Sequence, residues 1–270
     1  MVKSILILAV VSYAVLAAYA WMTADRQIFF PPRPSYTLSS IGGTLVPARD
    51  GAEIAMVHLP NPDAELTILF SHGNAEDLGH ALPYLEALRE TGYSVIGYDY
   101  RGYGASRGGG RATAEGTYRD IEAVYRYAID KLGIPAANIV LFGRSVGSGP
   151  ATHLAAREKV GGLIVENAFT SAFVVVTRVP LLPFDRFPNL ENIRRATCPV
   201  LIIHAMNDEI IPLAHGRRLY EAAPGPKRRL WVEGAHHNDV VIAGGETYWR
   251  AIREFRSLVQ QPEPRGLEPR

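Results

Sequence analysis

The chain has 270 residues, 47% of them hydrophobic, with 28 Lys and Arg against 27 Asp and Glu and a formal net charge of +1. That length supports one large α/β domain with an appendage, and the near-neutral charge excludes a nucleic-acid binder, which needs a basic face. One cysteine, Cys198, excludes an internal disulfide and a Cys-based metal cluster; at the start of an apolar run it reads as a buried structural thiol.

The N-terminus is distinct from the rest. Residues 4–22 carry no charge and are mostly Ile, Leu, Val and Ala. As a helix rising ~1.5 Å per residue, this run nearly spans the ~30 Å hydrocarbon core of a bilayer. Lys3 precedes it, and Tyr19 and Trp21 stand where an interfacial aromatic belt falls. Ala18-Tyr19-Ala20 resembles a signal-peptidase site, which would release a secreted enzyme. The run exceeds an ordinary signal core, however, and bulky Trp21 would follow the cut. Residues 1–24 therefore read as an uncleaved single-pass transmembrane anchor, with a signal peptide as the alternative. Lys3 biases the N-terminus to the cytoplasmic side and the domain to the extracytoplasmic side, while Arg26 and Arg33 oppose that bias.

Residues 25–43 form a connector, since Phe29-Phe30-Pro31-Pro32-Arg33-Pro34 cannot be regular helix. Its two Phe are expected to pack on the domain. Residues 44–59 read as two strands around a turn at Arg49-Asp50-Gly51. Residues 66–70 form a short apolar run that suits a buried parallel strand. It ends in Ser71-His72-Gly73-Asn74-Ala75, followed by a helix over residues 79–91. Strand 94–98 leads to Asp99-Tyr100-Arg101-Gly102-Tyr103-Gly104 and a solvated, basic loop through Arg111.

A long helix over residues 113–132 precedes the central stretch, Asn138 to Gly149. There an apolar strand ends in Gly143-Arg144-Ser145-Val146-Gly147 and passes into a helix. This is the G-x-S-x-G nucleophile elbow in its strand–turn–helix context. Glycines are needed there because a side chain would collide with the neighbouring elements. The helix start aims N–H groups at any anion formed beside Ser145.

A strand over residues 162–166 follows, then an irregular segment, 168–196, rich in Phe and Pro. A strand at 199–204, a helix at 213–222, a strand at 229–232 and a helix at 246–258 complete residues 44–259. Residues 260–270, with three prolines, read as a disordered tail. Alternating strands and helices imply an α/β fold with a mostly parallel central sheet, helices on both faces and the chemistry at the strands' carboxyl ends.

A serine nucleophile needs a base, and the base needs an orienting acid. The acid expected after a late strand is Asp208, with Glu209 adjacent; the loop after the last strand offers two histidines, His236 and His237, as the base. The oxyanion of a tetrahedral intermediate needs two N–H donors, here those of Val146 and Asn74. In the 168–196 segment Phe169, Phe173, Leu181 and Phe184, with Val174, Val176 and Leu182, either line an acyl channel or pack the segment on the sheet.

The combination of Ser71-His72-Gly73-Asn74-Ala75, Gly143-Arg144-Ser145-Val146-Gly147, Phe184-Asp185-Arg186-Phe187-Pro188-Asn189 and Gly234-Ala235-His236-His237-Asn238-Asp239 resembles the α/β-hydrolase domain-containing 13 and 17 group. The 17-type members are acyl-protein thioesterases. The resemblance implies an α/β-hydrolase fold with a short cap at 168–196, and no metal or cofactor. It places the base at His237, the residue directly before Asn-Asp. The chain departs from the group in carrying His236, where a small residue is usual. It also has an apolar helix where the thioesterases carry an acylated, Cys-rich N-terminus. The expectation is a membrane-tethered serine esterase or thioesterase acting on small-molecule or lipid acyl esters. The alternatives are a serine peptidase on the same fold and a membrane-anchored, non-catalytic binding module.

Overall fold

The computed structural model describes residues 2–178 and 181–260; the Val176 side chain and the 261–270 part of the expected tail lie outside the described residues. In chain order the elements are α1 (Val2–Ile28), β1 (Thr44–Pro47), β2 (Glu53–Leu59), β3 (Thr67–Ser71), α2 (Leu78–Glu90), β4 (Ser94–Tyr98), α3 (Ala114–Asp130) and β5 (Ile139–Arg144). There follow α4 (Ser148–Ala155), β6 (Gly162–Glu166), α5 (Ala172–Thr177), α6 (Asn189–Arg195), β7 (Val200–Ala205), α7 (Leu213–Ala222), β8 (Lys227–Val232) and α8 (Val240–Val259).

The eight strands form one sheet in the order β1-β2-β4-β3-β5-β6-β7-β8. The β1–β2 and β2–β4 pairs are antiparallel, and every pair from β4 to β8 is parallel. β3, β4, β6 and β7 are buried along their whole length. Such strands must be apolar on both faces, which is why they read as continuous runs of Ile, Leu and Val rather than as alternations. One face packs against α2 and α8 through Leu78, Leu85, Leu88, Tyr248, Ile252 and Phe255. The other packs against α3, α4, α6 and α7 through Ile121, Val124, Leu154, Ile193 and Leu219. The helices start at local caps: Thr113 accepts from Gly116 N at α3, and Asp77 from His80 N at α2.

Four features differ from the sequence expectations. α1 continues to Ile28, past residue 24. Phe29 is buried in the core, but Phe30 is 57% exposed, because only one of two adjacent side chains faces the domain. α8 begins at Val240 and is broken at Gly245, whose φ of +46° and ψ of −132° no helical residue adopts. The Arg101–Arg111 loop is not uniformly solvated, since Arg101 is buried. Its guanidinium bonds Asp120 through Nε at 2.9 Å and Nη2 at 2.8 Å, and reaches Asp50 through Nη1 at 2.8 Å.

The Arg101–Asp120 pair fixes the loop after β4 to α3. Removing one member of a buried pair strands the other charge in a low-dielectric setting. Asp120→Ala is therefore expected to destabilise the domain by roughly 3–5 kcal/mol, as measured by urea denaturation. Asp50→Ala, at the exposed end of the same guanidinium, is expected to cost about 1 kcal/mol or less.

Candidate active site

Ser145 stands at the carboxyl end of β5 with φ of +51°, a left-handed conformation unfavourable for a residue bearing a Cβ. Close packing holds it there. A Cβ on Gly143 would come within 2.5 Å of the Gly147 carbonyl oxygen, and one on Gly147 within 2.7 Å of the His72 carbonyl oxygen. The turn after β5 is thus pressed against the end of β3, and Ser145 is turned out into a cavity above the sheet.

The carboxylate and the histidine arrive from the loops after β7 and β8. His237 Nε2 lies 3.1 Å from Ser145 Oγ, and His237 Nδ1 lies 2.7 Å from Asp208 Oδ2. The other Asp208 oxygen accepts from Ile210 N at 2.9 Å and Ile211 N at 2.6 Å. Those two N–H groups fix the carboxylate in the loop after β7 and leave Oδ2 for the ring. Adjacent His236 is turned the other way, with Nδ1 3.3 Å from Glu209 Oε2 and 58% of its side chain exposed. Glu209 is likewise exposed and accepts from the His237 backbone N–H at 3.4 Å rather than meeting its ring.

The cavity holding Ser145 and His237 has a volume of about 710 Å³. Asn74 and Val146, the two expected oxyanion donors, both line it. Of the cap residues expected at an acyl channel whose side chains are described, Phe169 lines it, whereas Phe173, Val174, Leu181, Leu182 and Phe184 do not. Phe184 is drawn away by Trp21 of α1, at a ring distance of 4.9 Å, and Phe173 packs on Phe184 at 5.9 Å. Leu181 is 59% exposed. Their places are taken by Ala172 and Val175 of α5 and by Gln27 and Ile28 from the last turn of α1.

Several residues at the site escaped sequence reasoning. Asn167, at φ +45°, donates from Nδ2 to the His237 carbonyl at 2.8 Å and accepts at Oδ1 from Ala205 N at 2.9 Å. It ties the histidine loop to the ends of β6 and β7. Beneath Ser145, Arg144 Nε donates to Glu166 Oε1 at 2.7 Å and its guanidinium stacks 3.9 Å over Tyr84. Tyr248 donates to the other Glu166 oxygen. Burial by itself would lower the Arg144 pKa, but Glu166 together with Tyr84, Tyr248 and Glu76 raises it well above the ordinary value, so the guanidinium stays charged. The Asn74 side chain bonds the Ile28 carbonyl at 2.6 Å, the Phe30 N–H at 3.0 Å and the Tyr103 hydroxyl at 2.8 Å. The loop after β3 is thereby clamped to the end of α1. Only the elbow pattern hinted at Arg144, and nothing local pointed to Gln27 or Ile28.

The sheet order and the strand–turn–helix around Ser145 are those of an α/β-hydrolase. A family model described as "Serine aminopeptidase, S33" matches residues 62–180. Human α/β hydrolase domain-containing protein 17B is 34% identical over 87% of this chain and 90% of its own length. The Caenorhabditis elegans α/β hydrolase domain-containing protein aho-3 is 33% identical over 86% of this chain and 76% of its own. Among solved structures, an esterase from Pyrococcus furiosus superposes with a TM-score of 0.71 at 18% identity, over 85% of this chain and 100% of that one. The chain belongs to the α/β-hydrolase domain-containing 17 family.

Asn167→Ala would remove hydrogen bonds to the buried Ala205 N–H and the half-buried His237 carbonyl and place alanine in the left-handed region. Destabilisation of about 2–3 kcal/mol is expected, measured as a drop in the urea midpoint with an unchanged slope.

Proposed function

We propose that the protein is a serine hydrolase that cleaves carboxylic esters or thioesters of acyl chains through an acyl-enzyme on Ser145. The observation that carries this reading is the relay from Ser145 Oγ through His237 to Asp208, at 3.1 Å and 2.7 Å, opening into a mainly apolar cavity. In this reading Ser145 Oγ attacks the acyl carbonyl while His237 Nε2 takes its proton. Asp208 keeps the proton on Nδ1 and steadies the imidazolium. The Val146 and Asn74 N–H groups receive the developing oxyanion. His237 then protonates the departing alcohol or thiol. Water, deprotonated by the same ring, attacks the acyl-enzyme and restores Ser145.

The walls support an acyl substrate. Phe169, Val175, Ile210, Ile211, Val240 and Val241 line the cavity, and Arg144, its one cationic side chain of Lys or Arg type, is already paired with Glu166. We propose further that α1 is a retained membrane anchor with the domain on the extracytoplasmic side. It is long and apolar enough to cross a bilayer, with a mean hydropathy of 2.2. Cleavage after Ala20 would discard the Tyr13 contact with the cap. A second reading, peptide hydrolysis, takes its support from the name of the matching family model.

The test is fluorophosphonate labelling, followed by turnover of p-nitrophenyl esters from acetyl to palmitoyl beside aminoacyl p-nitroanilides. Labelling is expected to vanish in Ser145→Ala, with ester turnover falling roughly 10⁴-fold or more. His237→Ala should be comparably impaired and His236→Ala changed only a few-fold. Substantial turnover by Ser145→Ala would sink the proposal, and activity on anilides alone would transfer it to peptidases.

A further inference from the structure

α1 does not stand clear of the domain. Tyr13, Ala17, Trp21 and Ala24 share one helical face by their spacing, and that face meets the cap. Tyr13 Oη donates to the Leu181 carbonyl at 2.9 Å, and Ala17 and Ala24 are buried. Trp21 meets the edge of Phe184 at 4.9 Å, and the Arg186 guanidinium lies 4.0 Å over the Trp21 ring. Arg186 also donates to the Trp21 carbonyl at 3.2 Å. From Tyr13 to Ala24 about 16 Å of helix is engaged.

That engagement conflicts with a simple tether. The uncharged run of residues 4–22 is the part of α1 suited to the hydrocarbon core of a bilayer, and Tyr13 stands near its middle. The helix cannot cross a bilayer with the domain held wholly outside it while these contacts persist. Crossing and docking are compatible only if the cap enters the membrane beside the helix.

The cap is suited to that environment. Residues 172–184 carry a single charge, Arg178, and Leu181 is 59% exposed. Trp21 stacked with Arg186 is a pairing suited to the membrane–water interface. Tyr13, eight residues earlier, lies about 12 Å deeper. Polar bonding resumes on the other side of that level, where Asp25 accepts from Ala114 N at 3.0 Å and faces Arg186 Nε at 3.5 Å. Beyond it, Gln27 and Ile28 form a wall of the Ser145 cavity together with Ala172 and Val175.

We infer that the Leu181–Phe184 edge of the cap is embedded in the acyl-chain region of a lipid bilayer against α1, so that the Ser145 cavity opens at the interface and receives acyl chains from the leaflet. The embedding rests on the anchor reading of α1 and the delivery of acyl chains on the hydrolase reading, both given above.

The experiment measures depth in the full chain reconstituted into dioleoylphosphatidylcholine vesicles. Single cysteines at Leu181→Cys, Leu8→Cys and Lys159→Cys carry an environment-sensitive fluorophore, with nitroxide-labelled lipid as quencher. Native Cys198 is buried, and burial pushes its thiol up to about 12, so the label goes to the introduced site. Leu8 reports the helix and is 66% exposed; Lys159 lies at the opposite end of the sheet. Quenching at 181 comparable to that at 8, several-fold above that at 159, is expected. Quenching at 8 with none at 181 would show the helix crossing without the cap and overturn the inference. Absence of quenching at 8 would overturn it as well. Fluorophosphonate labelling of Ser145 in the same vesicles is scored separately. Its failure would strike the hydrolase reading and leave the depth result standing.

Discussion

The close approach of the β5 turn to the end of β3 is the constraint on which the site depends. With no side chain at Gly143 or Gly147, the backbone of the turn meets neighbouring carbonyls at distances a Cβ would forbid. The reward is a Ser145 hydroxyl raised from the sheet at φ +51°, next to the first turn of α4. Everything else is positioned relative to that point. Asp208 and His237 come from the loops after β7 and β8, and their mutual distances follow from the parallel register of β5, β6, β7 and β8.

Holding a strained turn requires a stiff floor. Arg144 and Glu166 supply it on adjacent strands, paired across the β5–β6 register and closed below by Tyr84 and Tyr248. A buried pair of this kind contributes little to net stability compared with an apolar replacement, but it admits few alternative arrangements. His72 plays a parallel part under the loop after β3. It is buried between Tyr100 and Asp99, with Nδ1 2.7 Å from the Gly73 carbonyl oxygen. Burial would lower its pKa, and Asp99 raises it above the ordinary value. The two glycine-bearing turns above the sheet therefore rest on polar groups that are themselves locked in place.

The N-terminal helix ties the chain's most apolar segment to this chemistry. One asparagine carries the link: the Asn74 side chain binds both sides of the α1 terminus while its backbone belongs to the loop facing Ser145. The cap is tied to the same helix through Trp21, Arg186 and Asp25. The placement of α1 and the shape of the cavity are consequently properties of one packed unit.

The sequence by itself determined the sheet, the order of the elements and the elbow. These are local matters: buried parallel strands must be continuous apolar runs, and a strained turn must carry glycine. The family, too, was legible in short motifs. The resemblance pointed to His237 rather than His236, but the physical reason is tertiary: neighbours in a tight turn point apart, and packing turns His237 inward to Asp208. Tertiary structure also decided that Phe173, Leu181 and Phe184 leave the cavity while Gln27 and Ile28 enter it. An apolar side chain has no directional preference of its own, so its destination depends on what lies opposite, here a helix more than 140 residues away in the chain. Arg101 makes the same point for charge: in the sequence it belonged to a solvated basic loop, and only the carboxylates of Asp120 and Asp50, brought in from α3 and the β1–β2 turn, allow it to be buried.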